Sequence, residues 1–323
     1  MWKVISGIFL GWSLGANDSA NIFGTGVTTG IVKYRTAILL TAIFVLIGSI
    51  IEGSKCMRIV GDLSRLVPIE AFLCALAAAI TMTILTYFAI PASTSQAIIG
   101  AVIGAGILSG SADFSKLIKI VACWILTPIG GMIFGYLLYH SLKFIFDKTI
   151  PSLTYRNTIY GVGIIVAGCY GAYSLGANNV ANVTGIYVGS GLLSCQTAAF
   201  IGGLSIASGT LTYGKKVMIT VGKGIAPLDP FTALVTILAE ALTLHLFTQI
   251  GVPVSSSQAI VGAVVGVGIV GGLRTINPKM LVKITVGWLI TPFAAGLMTI
   301  LFIYLTPFAE GLKTILFIYF TPA

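Results

Sequence analysis

The sequence predicts an all-α, polytopic membrane protein built as two repeated halves, and three observations lead there. The 323 residues are 57% hydrophobic and only 8% charged, whereas a soluble domain is about one quarter charged. Near-continuous apolar runs recur at 2–16, 36–51, 68–90, 117–146, 158–177, 229–249 and 280–303, most of them near the roughly 20 residues that a helix needs to cross hydrocarbon. Two long motifs also return at almost the same spacing. Residues 13–30 match 174–191 at 10 of 18 positions, and residues 91–107 match 253–269 at 12 of 17, with offsets of 161 and 162. A looser match pairs Trp124, Thr127 and Pro128 with Trp288, Thr291 and Pro292 at offset 164.

Taken in order, the N-terminal run ends at Asn17 and Asp18 with no small-residue cleavage site, so it reads as the first membrane segment and not as a signal peptide. The first half is placed at 1–142, a linker at 143–157, the second half at 158–306 and a tail at 307–323, in which ILFIYLTP (300–307) recurs as ILFIYFTP (315–322). The region 68–108 reads as two spans or as one span followed by a re-entrant hairpin. The formal net charge of +9 gathers in short stretches at 55–65, 143–156, 215–223 and 274–283, which read as loops at the headgroups. Because membrane spans separate these charges, they form no nucleic-acid surface. Cys56, Cys74, Cys123, Cys169 and Cys195 lack paired-cysteine spacing and read as packing residues. No hydrolase, zinc-protease or phosphate-loop motif is present, so nothing supports an enzyme or an organic cofactor.

The chemistry lies in the repeated motifs. A carboxylate at membrane depth costs about 2.5 to 3.5 kcal/mol, so Asp18 is expected to face an ion, a cavity or a partner charge. Asn17, Asp18 and Asn21 share one side of a helix, and Asn178, Asn179 and Asn182 repeat them, with Asn179 standing where the first copy has Asp18. Amide and carboxylate oxygens suit a small hard cation, and Gly15, Gly24, Gly26 and Gly30 are expected to let the helix break and offer carbonyls.

The second motif sets Ser93, Thr94, Ser95 and Gln96, and again Ser255, Ser256, Ser257 and Gln258, behind a proline and ahead of a glycine-spaced apolar segment. That is a helix start inside the membrane, where free N–H groups and hydroxyls favour an anion. Neither motif contains Arg or Lys. A bound anion must then be neutralised by cations, which couples the two. Phosphate keeps a P–OH donor that Asp18 or a glutamine carbonyl accepts, which leans toward phosphate over sulfate. Glu240 reads as a further candidate cation or proton ligand, Glu70 as an interfacial residue and His245 as a hydrogen-bonded packing residue.

With GANDSAN at 15–21, GANNVAN at 176–182 and the Ser/Thr-rich segments ending in Gln96 and Gln258, the chain resembles the inorganic phosphate transporter family. The resemblance spans both halves. It implies a sodium- or proton-coupled phosphate symporter made of two inverted repeats with broken helices and two re-entrant hairpins, working as a homodimer in which a transport unit moves against a scaffold. It further implies that sodium is served by Asn17, Asp18, Asn21, Asn178, Asn179 and Asn182, and phosphate by Ser93, Thr94, Ser95, Ser255, Ser256 and Ser257, with Gln96 and Gln258 touching either. The family commonly has Asp at the position of Asn179, so the second cation site differs here. The short link between halves fits a multi-pass protein of a prokaryotic plasma membrane. A proton-coupled phosphate or sulfate permease and an anion channel are the alternatives; the clustering of polar residues at two repeated spots favours an occluded site over a pore.

Overall fold

The computed structural model describes residues 2–90, 92–150, 152–224, 228–271 and 277–320, with side chains for all of these except 153–154, 220–224, 271 and 307–320. Pro91, Pro151, the first residues of the basic stretch 274–283 and the end of the repeated tail lie outside them. Among the described residues there is no strand, and the helices run α1 (Ile5–Thr28), α2 (Tyr34–Glu52), α3 (Ser54–Gly61), α4 (Pro68–Tyr87), α5 (Thr94–Ser109), α6 (Phe114–Thr149), α7 (Leu153–Gly189), α8 (Cys195–Thr212), α9 (Lys215–Gly224), α10 (Pro230–Ile250), α11 (Ser256–Gly271) and α12 (Pro278–Phe320). The order of long and short helices in α1–α6 recurs in α7–α12. The expected linker is mostly helical, because α6 continues to Thr149 and α7 begins at Leu153.

Matching positions start the matching helices. Pro68 and Pro230 open α4 and α10, where a missing N–H costs nothing. One turn on, Glu70 accepts from the Val67 N–H at 2.9 Å, and Thr232 accepts from the Asp229 N–H at 2.8 Å. Glu70 therefore corresponds to Thr232 in place and in task, closing the first turn of its helix.

Among the described residues six helices, α2, α4, α6, α7, α10 and α12, are long and apolar enough to cross a membrane. The molecule is apolar outside and polar within: Ile118, Ile125, Phe293 and Leu297 on α6 and α12 are exposed, while α1 is buried without a gap from Ser13 to Gly26. An exposed apolar face this broad suits hydrocarbon. It is a multi-pass membrane protein. The motif helix α1 is not among the six, and its polar residues are packed inside the protein instead.

The halves interlock. α5 packs on α12 and α11 on α6, α1 packs on α8 and α7 on α2. A Cβ on Gly100 would collide with the Pro292 carbonyl, and one on Gly262 with the Pro128 carbonyl, so these glycines permit backbone contact at the two matching crossings. The expected break is absent at Gly15, Gly24 and Gly26, through which α1 runs unbroken, whereas at Gly30, with φ +78°, the helix has already ended. The interruptions fall instead between α4 and α5 and between α10 and α11, where the chain reverses ahead of each serine-rich segment.

Candidate functional site

The two reversals have one geometry. After α4 the chain turns through Ala89 at φ +53°, and after α10 through Gly251 at φ +82°. Each turn returns an N–H to the preceding helix, from Ile90 to the Leu85 carbonyl and from Val252 to the Phe247 carbonyl, both at 3.0 Å. Glycine holds the left-handed conformation freely in the second copy, whereas Ala89 holds it against its Cβ.

An asparagine clips each reversal. The Asn17 amide donates to Thr86 Oγ1 at 2.9 Å and to the Ile90 carbonyl at 3.2 Å, and its Oδ1 accepts from the Ala92 N–H at 3.2 Å. Asn178 repeats this with Thr248 Oγ1 at 3.0 Å, the Val252 carbonyl at 3.1 Å and the Val254 N–H at 2.7 Å. Both amides are thus engaged in holding non-helical backbone that has no intrahelical partner. Beyond the clips, Ser93 and Ser255 cap α5 and α11, each accepting at 3.3 Å from the N–H of Gln96 or Gln258.

Among the remaining motif residues, Asn21 with Ser256 and Asn182 with Ser95 bridge the halves. Thr94 Oγ1 donates to Asp18 Oδ2 at 3.2 Å, and Asn21 donates to Ser256 Oγ at 2.9 Å. Asn182 donates to Ser95 Oγ at 2.8 Å and to Asn179 Oδ1 at 2.9 Å. Ser95 in turn donates to the Val254 carbonyl at 2.9 Å, so the start of α5 abuts the approach to α11. On the far side Ser257 pairs with Ser255 at 2.9 Å and accepts from Trp288 Nε1 at 3.2 Å. Trp124, at the matching place, has an indole N–H without a partner.

All fourteen motif residues named above are buried. Asp18 Oδ1, Asn21 Oδ1, Asn182 Oδ1, Gln96 Oε1 and Gln258 Oε1 have no hydrogen-bond partner, and neither has either oxygen of Glu240. Nearly all the unpartnered atoms in this set are acceptors. Among the described residues no Lys, Arg or His acts on Asp18 or Glu240; the charged neighbour of Glu240 is Asp18 itself. Buried oxygens in excess of donors are what a hard cation requires. No group of three or more His, Cys, Asp or Glu side chains among the described residues is placed to hold a metal, so the donor set is amide, hydroxyl and carboxylate oxygen.

Gln96 faces a different neighbourhood from the rest, lining an apolar cavity of about 500 Å³ between α5, α6 and α12 with Trp124, Trp288 and Pro292. His245 is hydrogen-bonded to Gln249 at 2.7 Å and packs on Tyr170 and Tyr173. The five cysteines are free, with Cys56 and Cys74 fully packed. What repeat-based reading underweighted is Glu240, whose matching position is Ala78. A single acid within an otherwise apolar span was the signal for it.

The model of the phosphate transporter family matches the chain twice, over residues 14–162 and 152–299. The chain belongs to that family. It is 30% identical to MJ0630 of Methanocaldococcus jannaschii, provisionally named a phosphate permease, over 91% of this chain and 93% of that one. It is 27% identical to the sulfate permease CysP of Bacillus subtilis, covering 90% of this chain and 83% of the relative. A solved structure described as the sodium-dependent phosphate transporter shares its fold, with a TM-score of 0.79 at 22% identity over 92% of this chain and 96% of that one. The family is one of transporters, and the double match falls on the two halves seen in the sequence.

Proposed function

We propose that the chain is a secondary active symporter of inorganic phosphate driven by the sodium gradient. It would work as a homodimer of inverted-repeat protomers, with an elevator-like movement that carries the two re-entrant hairpins. One observation supports this above all: the start of α5 meets the approach to α11 at a buried cluster of unpartnered oxygens with no basic side chain among the described residues. Each helix start contributes about half a positive charge. Two of them come short of balancing a phosphate that bears one to two negative charges beside Asp18, and sodium makes up the difference. In this scheme Asp18, Asn21, Asn179 and Asn182 face sodium while Asn17 and Asn178 hold the reversals in place. Thr94, Ser95, Ser256 and Ser257 present hydroxyls to phosphate, Ser93 and Ser255 set the helix starts that offer N–H groups, and Gln96 and Gln258 border the site.

The likeness to CysP favours a second reading in which the tetrahedral anion is sulfate. Labelled-phosphate uptake into proteoliposomes under separately imposed sodium, potassium and proton gradients, with unlabelled sulfate as competitor, tests both. Sodium-driven uptake that sulfate leaves unaffected is the expected result. Uptake indifferent to every cation gradient would make the protein an anion channel, and strong sulfate competition would transfer the assignment to sulfate.

A further inference from the structure

Glu240 sits in the middle of α10 with no exposed surface and no hydrogen bond to either carboxylate oxygen. Its helix packs against α1, α3, α6, α7 and α11. Of the titratable groups on those helices, Asp18 of α1 acts on it; Arg58, Asp147, Arg156 and the histidine, lysines, tyrosines and cysteines of α3, α6 and α7 do not, and α11 has none. Asp18 likewise keeps Oδ1 unpartnered. Two buried carboxylates therefore lie within electrostatic reach of one another, with three free oxygens and no basic group among the described residues, an arrangement that burial tolerates when a proton or a cation neutralises it.

The repeat sharpens the point. The positions that match Asp18 and Glu240 are Asn179 and Ala78. Both acids thus fall between α1 and α10, and the corresponding place between α7 and α4 holds neither.

We infer that Glu240 is a sodium ligand, supplying with Asp18 the second carboxylate of one cation site between α1 and α10. This rests on the functional reading above and deepens it: the two repeat-related cation places become unequal, one anionic and strong, the other built on neutral amides and weak. The ligand class is a small hard cation, since carboxylate and amide oxygens are hard donors, and the functional reading above makes that cation sodium. With Glu240 charged, sodium binding comes before phosphate, because the pair would otherwise repel the anion.

The test uses the purified full-length protein. Thermal melting is followed against sodium chloride, with choline chloride holding ionic strength constant, for wild type and Glu240→Gln. Sodium-dependent phosphate uptake is measured on the same preparations. In both readouts the sodium midpoint of Glu240→Gln is expected to rise at least about tenfold, while the phosphate half-saturation at saturating sodium stays within about twofold of wild type. Glu240→Asp, which keeps the charge, is expected to recover most of the shift, and Glu240→Ala, which removes both ligand oxygens, serves as the informative variant if Glu240→Gln does not fold. Sodium midpoints equal to wild type in whichever neutral variant folds would overturn the inference. A wild type that takes up phosphate without regard to sodium would instead overturn the functional reading, so the two failures are distinguishable.

Discussion

Replacing Asn178 with Ala separates a clip from an ion ligand. The substitution removes the donor to the Val252 carbonyl and the acceptor of the Val254 N–H, and both groups lie in buried, non-helical backbone. Thr248 keeps its own bond to the Leu244 carbonyl at 2.8 Å and is not orphaned. Each stranded backbone group costs about 1 to 3 kcal/mol. Interhelical side-chain bonds in membranes average only about 0.6 kcal/mol, because the unfolded chain also finds partners there. A reversal offers its backbone no such substitute, so the larger figures govern, and a loss on the order of 2 to 4 kcal/mol follows. At roughly 2 °C or more per kcal/mol for a chain of this size, the melting temperature should fall by about 5 °C or more. Asn17→Ala should behave alike through Ala92 and Ile90. Melting in detergent, with sodium and with choline at equal ionic strength, is the assay, and the drop should be the same in both. An unchanged melting temperature in choline, together with loss of the sodium effect, would refute the clip and make Asn178 a ligand.

Asp18→Asn keeps the shape and one oxygen but removes the charge. At an effective dielectric of about 20 and a separation of about 4 Å that charge is worth about 4 kcal/mol, so the sodium half-saturation of phosphate uptake should rise roughly 10²- to 10³-fold. Ser95→Ala and Ser257→Ala each remove a hydroxyl to a charged ligand, worth about 1.5 to 3 kcal/mol, and the phosphate half-saturation should rise roughly 10- to 100-fold; wild-type affinity in both would return these serines to structural duty. Ala89→Gly relieves the left-handed turn that its counterpart Gly251 already occupies without strain, and should stabilise the protein by about 0.5 to 1 kcal/mol in melting experiments, after the added freedom of the unfolded chain is counted.

Much of this was legible in the residues, because duplication displays the same physical demand twice. The offset of about 162 predicted two matching halves and a serine-rich helix start in each, while the re-entrant hairpins came only with the family resemblance. The offset also explains what was harder to see. Glu70 and Thr232 differ in chemistry yet close the same turn, an equivalence invisible to a search for identical letters. The glycines of α1 were expected to break the helix, but a glycine that breaks a helix and one that lets two helices touch look alike in sequence, and only the neighbouring chain tells them apart. Asn17 and Asn178 were grouped with their neighbours as ion ligands because helical periodicity places them beside Asp18 and Asn179. Their hydrogen bonds run instead to the reversal, a partner about 75 residues away that periodicity cannot register.

The separation of clips from bridges bears on how one ligand could govern access. Asn17 and Asn178 tie each reversal to the motif helix of its own half, so α1 and α7 each hold a serine-rich segment rigidly. Asn21 with Ser256, and Asn182 with Ser95, reach across to the opposite half. An anion entering between the two helix starts competes for the same hydroxyls that these cross-bonds use, while cations compete for the free oxygens of the same asparagines. In the proposed cycle, phosphate and sodium together would replace the direct bridges with ligand-mediated ones of similar strength, and either alone would leave unpaired charge at the crossing. Coupling needs no long-range relay under that arrangement. It follows from the absence of a basic side chain at a place where the two halves meet through oxygens.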